Sequence, residues 1–196
     1  MSELMRYAAM LEDAAQRPLP PVEKWNPAYS GELDLIIRGD GVWLYQGAPI
    51  ARARLVRLFS TVLRREGDRF FLVTPVEKLG IKVEDAPFTA VFMRAEGAGE
   101  EQLLIFTTNV GDIVAAGPDH AIEYRVRAGG GEKAPYIHVR AGLQALIVRS
   151  VFYDLVALGE TRETDSGESF GVYSSGAFFP FGPASEIFGE GASPPR

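Results

Sequence analysis

Residues 69–88 read RFFLVTPVEKLGIKVEDAPF, and residues 136–155 read YIHVRAGLQALIVRSVFYDL. Each has a short apolar run, a break of small or turn-forming residues, a second apolar run, and a charged or polar step before a third. Phe70 falls on Ile137, Leu72 on Val139, Val76 on Leu143, Leu79 on Leu146 and Ile81 on Val148, at a constant offset of 67. Short apolar runs bounded by turn residues are strand signals. The chain therefore writes one set of strands twice.

The same comparison extends towards the N-terminus. LDLIIRGDGVWLYQGAP from Leu33 lies over LLIFTTNVGDIVAAGP from Leu103, with Leu35 on Ile105, Gly41 on Gly111, Trp43 on Ile113 and Gly47 on Gly117, now at an offset of 70. Asp40-Gly41 between two apolar runs predicts a hairpin, because these residues tolerate the positive φ of a tight turn. Between the two blocks of the first half, ARARLVRLFSTVLRREGD places Leu55, Leu58, Phe59, Val62 and Leu63 on one face. It predicts the main helix, ended by Gly67. The second half has HAIEYRVRAGGGEKAP there, whose alternating Ile122, Tyr124 and Val126 predict a strand and whose glycines predict a hairpin tip.

The expected fold is α+β: two structurally related, mainly antiparallel β units packed together. Residues 1–21 form an N-terminal helix and linker, capped by Ser2 and ended by Pro18, Pro20 and Pro21. Residues 22–96 form the first unit. EGAGEE at 96–101 reads as an exposed hinge, and residues 101–190 form the second, mostly β unit. Phe178, Phe179 and Phe181 are too apolar for a free tail and are expected to pack back on the body, leaving about the last six residues loose.

Composition narrows the function classes. The chain has 196 residues, 46% hydrophobic and 23% charged, the balance of a globular protein. It has no cysteine, which excludes disulfides, thiolate metal sites and a Cys nucleophile, and only two histidines, His120 and His138. A formal charge of −6 argues against general nucleic-acid binding. No run approaches the roughly 20 apolar residues of a membrane helix, and the N-terminus has no signal-peptide layout, so a cytoplasmic protein without membrane insertion is expected.

Four groups of residues could carry chemistry. Glu77, Glu84 and Asp85 stand close to Lys78 and Lys82, and read as solvated charge beside a turn, as ligand contacts, or as acid–base and magnesium groups together with Asp112. Thr107, Thr108, Asn109 and Asp112 surround a turn whose amides they can satisfy. Arg140 and Arg149 interrupt apolar runs at the ends of second-half strands, and Arg grips phosphate or carboxylate with two hydrogen bonds. Ser174 and Ser175 read as loop residues, and GGGEKAP lacks the pattern of a phosphate loop.

TPVEKLGIKVEDAPF, TNVGD and AGLQALIVRSVFYDL resemble a proteobacterial family of unknown function whose members are about this long. The resemblance covers nearly all of the chain after the N-terminal helix. It implies a duplicated α+β core, a second half like a pleckstrin-homology domain, and a ligand cleft between the halves. It further implies a nucleotide-like ligand and a role in signalling. Carried onto this chain, its motif residues are Thr74, Glu77, Lys78, Glu84, Asp85, Asn109, Asp112, Arg140, Arg149 and Tyr153, none with a catalytic role, and no cofactor.

Three readings follow. In the first, the protein binds or senses a small ligand: Arg140 and Arg149 hold an anionic group, Asn109 or Asp112 reads a polar edge, and Tyr153 or Trp43 offers a face for stacking. The second is an interaction module that recruits a protein partner along a sheet edge. An acid–base or magnesium-dependent enzyme built on Glu77, Glu84, Asp85 and Asp112 is the third.

Overall fold

The computed structural model describes residues 19–164 and 167–188. The helix expected over residues 2–16 and the loose last residues lie outside them. The described chain divides at Pro87/Phe88 into two compact units. EGAGEE is not at that division. It joins two strands of one sheet through a single 3-10 turn, Gly99–Glu101.

The first unit is a six-stranded sheet. Its strands are β1 (Tyr29–Ile37), β2 (Trp43–Tyr45), β3 (Ala48–Pro49), β4 (Leu63–Glu66), β5 (Arg69–Val73) and β6 (Lys78–Val83), with helix α1 (Ala53–Thr61) between β3 and β4. The spatial order is β3-β2-β1-β6-β5-β4. Every neighbouring pair is antiparallel except β1 and β6, which run parallel at the centre. On β1 the alternation expected of a half-buried strand is plain, with Leu33, Leu35 and Ile37 buried.

The main helix is shorter than its apolar stripe predicts. Ser60 and Thr61 donate their hydroxyls to the carbonyls of Arg57 and Leu58, each at 2.7 Å, and the helix stops there. Local bonds of this kind compete with continuation of the helix. Leu63–Glu66 instead pairs with β5 around Gly67-Asp68, with Gly67 at φ 59°. The arginines Arg64 and Arg65 are strand residues, and Leu63 faces the core opposite Leu72.

The second unit opens with a sheet of the same plan. Its strands are β7 (Phe88–Glu96), β8 (Leu103–Thr108), β9 (Ile113–Ala115), β10 (Ile122–Val126), β11 (Lys133–Arg140) and β12 (Leu143–Ile147). The order β10-β11-β12-β7-β8-β9 reproduces that of the first sheet strand for strand, again with one parallel pair, β7 and β12. The α+β duplication is therefore real. The offset of 67 correctly lays β5 on β11 and β6 on β12. The offset of 70 is one strand out, since it lays β1 on β8, whereas the counterpart of β1 is β7.

That misalignment has a physical source. In the β1–β2 turn, Arg38 N–H donates to the Val42 carbonyl and Gly41 N–H to the Arg38 carbonyl, both at 2.9 Å. In the β8–β9 turn, Thr108 N–H donates to Asp112 and Gly111 N–H to Thr108, again at 2.9 Å. Gly41 and Gly111 supply φ values of 85° and 88°. Two hairpins with one turn chemistry align by sequence wherever they stand in the sheet.

The second unit then adds helix α2 (Arg149–Ala157), strands β13 (Glu160–Thr164), β14 (Gly167–Ser174) and β15 (Ala177–Gly182) in a separate three-stranded sheet, and helix α3 (Ala184–Phe188). Phe179 and Phe181 on β15 are buried as expected. Phe181 meets Tyr124, Phe152 and Phe170 at ring distances of 5.8, 5.7 and 6.4 Å. Ser174 is no loop residue. It is fully buried at the end of β14, where its Oγ accepts from Leu104 N–H at 2.9 Å and donates to the Ala116 carbonyl at 2.8 Å. Among the described residues no helix is long and apolar enough to cross a membrane.

Candidate functional site

A cavity of about 750 Å³ opens on the second unit where four segments meet. The chain enters it at α2. Val148 N–H is held by the Ala90 carbonyl at 3.1 Å, and Phe152 N–H closes the first helical turn onto Val148 at 2.9 Å. Arg149, Phe152 and Tyr153, spaced i, i+3 and i+4, then share one helix face and line the cavity. Arg149 begins this helix instead of ending a strand, as its interruption of an apolar run suggested.

The opposite wall comes from the β10–β11 hairpin. Its Gly130 and Gly131 adopt φ of 79° and 99°, and Arg127 N–H bonds the Glu132 carbonyl at 3.3 Å to close the loop. Tyr124 on β10 stacks on Phe152 of α2, with centroids 5.7 Å apart and planes 16° from parallel. Leu146 and Ile147 of β12, Pro135 of β11 and Ile187 of α3 supply aliphatic lining. Its size is that of small-molecule sites, and its exposed lining is shared about evenly between polar and apolar atoms.

The polar groups are unevenly committed. Lys133 Nζ lies 2.7 Å from Glu186 Oε2, and that carboxylate raises the ammonium pKa. Burial raises the Tyr124 phenol. Arg149 Nε donates to Tyr153 Oη at 2.7 Å, which raises the guanidinium pKa further, with a smaller contribution from Glu132. Arg149 forms no ion pair, and its two terminal nitrogens form no hydrogen bond, with the described residues. They are a guanidinium fork open to solvent at the mouth of a hollow with both polar and apolar walls.

The other residues expected in the site are dispersed. In the first unit, Thr74 is buried and its Oγ1 accepts from Glu77 N–H at 3.0 Å, a turn-holding role. Lys78 pairs with Glu66 at 3.1 Å and covers the Phe71 ring. Glu84 Oε2 accepts from Gly39 N–H at 3.1 Å and so caps the β1–β2 turn, with Asp85 next to it in the chain. Trp43, expected to offer a stacking face, is 2% exposed and belongs to the core.

In the second unit, Asn109, Asp112 and Arg140 gather at the β8–β9 turn. Asp112 forms an ion pair with Arg140, whose guanidinium covers the Phe88 ring at 5.0 Å, and Asn109 bonds Thr89. Each is engaged in holding strands together. Among the described residues no group of three or more His, Asp or Glu side chains converges to hold a metal. Of the ten expected residues, the structure brings only Arg149 and Tyr153 into the cavity. The sequence reading missed Tyr124, Lys133, Phe152 and Glu186. The spacing of Phe152 from Arg149 in RSVFYDL was a usable signal once that stretch is taken as a helix.

Two family models cover most of the chain. One described as a domain of unknown function, DUF1285, N-terminal domain, matches residues 20–86, and the DUF1285 C-terminal domain matches residues 87–181. Their border falls within one residue of the division between the compact units. A solved DUF1285 family protein from Silicibacter pomeroyi DSS-3 is 48% identical over 95% of this chain and 98% of its own, with a TM-score of 0.87. Another from Shewanella baltica OS155 is 28% identical over 63% of this chain and 91% of its own, with a TM-score of 0.50. No curated protein matches the chain.

Proposed function

The chain belongs to the DUF1285 family, whose function is unknown, and we propose that it is a binding protein for a small organic anion taken up in the cavity of the second unit. One observation carries the reading. The Arg149 guanidinium, steadied through Nε by Tyr153, presents its two terminal nitrogens with no ion pair to the described residues, beside an aromatic and aliphatic wall. An exposed Arg on a helix usually points into water. This one borders a hollow of ligand size, where an anion would gain a charge-assisted pair of hydrogen bonds and its apolar part would leave water.

No step of covalent chemistry is part of this reading: the Lys133 amine in the hollow is held in its ammonium form by Glu186. Binding alone is sufficient to couple a ligand to the fold. A thermal-shift panel of nucleotides and organic acids tests it. A ligand present at 100 times its Kd stabilises by about 2.7 kcal/mol. At this chain length that raises the melting temperature by roughly 5–10 °C. Arg149→Ala should abolish the rise while leaving the unliganded melting temperature within about 1 °C, since the residue is at the surface. A panel in which no compound gives an Arg149-dependent rise refutes the proposal.

A further inference from the structure

We infer that the cavity selects a monocarboxylate with an apolar body over nucleotides and other phosphate-bearing ligands, an inference that rests on reading this cavity as an anion site. The charges that line it decide the matter. Three cations, Arg127, Lys133 and Arg149, face two carboxylates, Glu132 and Glu186. Lys133 is already held by Glu186 at 2.7 Å, and Arg127 is not without a partner of its own. The net positive charge left for a ligand is close to one.

Arg149 fixes how the anionic group docks. With Nε committed to Tyr153, the two terminal nitrogens offer parallel donors to two oxygens of one anion, a pairing that carboxylate and phosphate both make, so charge decides between them. A phosphoryl group carries about −1.5 to −2 charge near neutral pH. Its extra charge would have to sit among Glu132 and Glu186, and the lining supplies no cation beyond Arg127, Lys133 and Arg149 to answer it. A di- or triphosphate adds more of the same repulsion. Meanwhile the stacked and partly exposed Tyr124 and Phe152 rings offer apolar surface that a bare acid such as acetate would leave uncovered.

Isothermal titration of the full chain tests this with probes that share one body: 3-phenylpropionate, 3-phenylpropyl phosphate and 3-phenylpropan-1-ol, with ATP alongside. The carboxylate should bind about tenfold or more tightly than the alcohol, which lacks the charge-assisted bonds, and more tightly than the phosphate ester, with ATP weakest. Arg149→Lys keeps the charge, loses the fork, and should weaken the carboxylate by about tenfold. Glu186→Gln should improve the phosphate ester more than the carboxylate. Arg149-dependent binding of the phosphate ester or ATP at equal or higher affinity overturns the carboxylate assignment and leaves the anion site standing. Absence of Arg149-dependent binding by every probe overturns both.

Discussion

Asn109 meets Thr89 twice. Its backbone N–H donates to the Thr89 carbonyl at 2.8 Å, and its side-chain Oδ1 accepts from the Thr89 N–H at 3.0 Å. The residue after β8 thus continues the β7–β8 ladder with an amide side chain acting as a second strand would. Thr89 is buried, so its N–H has no water to turn to when Asn109 is truncated. An unpaired buried donor costs about 1–3 kcal/mol. Asn109→Ala should therefore lower the melting temperature by several degrees, and calorimetry that shows no change would mean that the ladder ends at Thr108.

Ser174 is a second internal clasp, tying β14 to β8 and to the segment after β9 through Leu104 and Ala116. Gln102 Nε2 supports it by donating to the Tyr173 carbonyl at 2.9 Å. Ser174→Ala strands a buried donor, and we expect a loss of about 1–3 kcal/mol in urea unfolding. Ser175→Ala should cost less. Its Oγ shares an acceptor, the Ala116 carbonyl, that Ser174 already satisfies.

Two strand glycines should answer to Ala to different degrees. At Gly171, paired with Pro180, a Cβ would meet the Phe179 carbonyl oxygen, and it would lie 2.7 Å from the Phe178 ring and 2.9 Å from Pro180 Cα. Backbone cannot step aside there, so Gly171→Ala should destabilise by about 1–3 kcal/mol or more. At Gly80 the near atoms are the Glu32 carboxylate oxygens at 2.5 Å, the end of a flexible side chain. Gly80→Ala should be close to neutral by the same denaturation assay.

Glu66 gives the fold an acid-sensitive contact. Burial pushes its carboxyl up, but hydrogen bonds and charge from Lys78 and Arg64 outweigh that and hold it below the ordinary carboxylate range. A carboxylate depressed in the folded state stabilises above its unfolded pKa and loses that contribution as pH falls through the folded value. Glu66→Gln should cost up to about 1 kcal/mol at pH 7, because the site is partly open to solvent. The difference from the parent should shrink below about pH 4. A gap of equal size at pH 7 and pH 3 would show that the charge of Glu66 does nothing.

The sequence disclosed what is local and concealed what is distant. Asp40-Gly41 announced its hairpin, and Ile122, Tyr124 and Val126 announced a strand, because both signals lie within a few residues. Gly67-Asp68 carried a hairpin signal too. It was overridden by the apolar face of Leu55, Leu58, Phe59, Val62 and Leu63, whose last member belongs to a strand. Parallel pairing of β1 with β6 leaves no mark in either segment, which is why the repeat could be recognised while one of its blocks was set a strand out of place. For the cavity, Arg149 and Tyr153 were legible through a motif. Tyr124, Lys133 and Glu186 come from segments tens of residues away that only the folded chain brings together.

In each six-stranded sheet the first and last strands lie side by side in the middle. A nascent chain that has emerged as far as Glu77 has made both flanks of the first sheet and nothing to join β1 to β5. Closure waits for residues 78–83, and in the second sheet Phe88 waits for Ala145. Such long loops must be closed before any contact at the centre rewards them, which slows folding. Translation that stops short of Val83 should leave two ribbons with their inner edges bare, so resistance of the first unit to proteases should arise abruptly, as β6 leaves the ribosome.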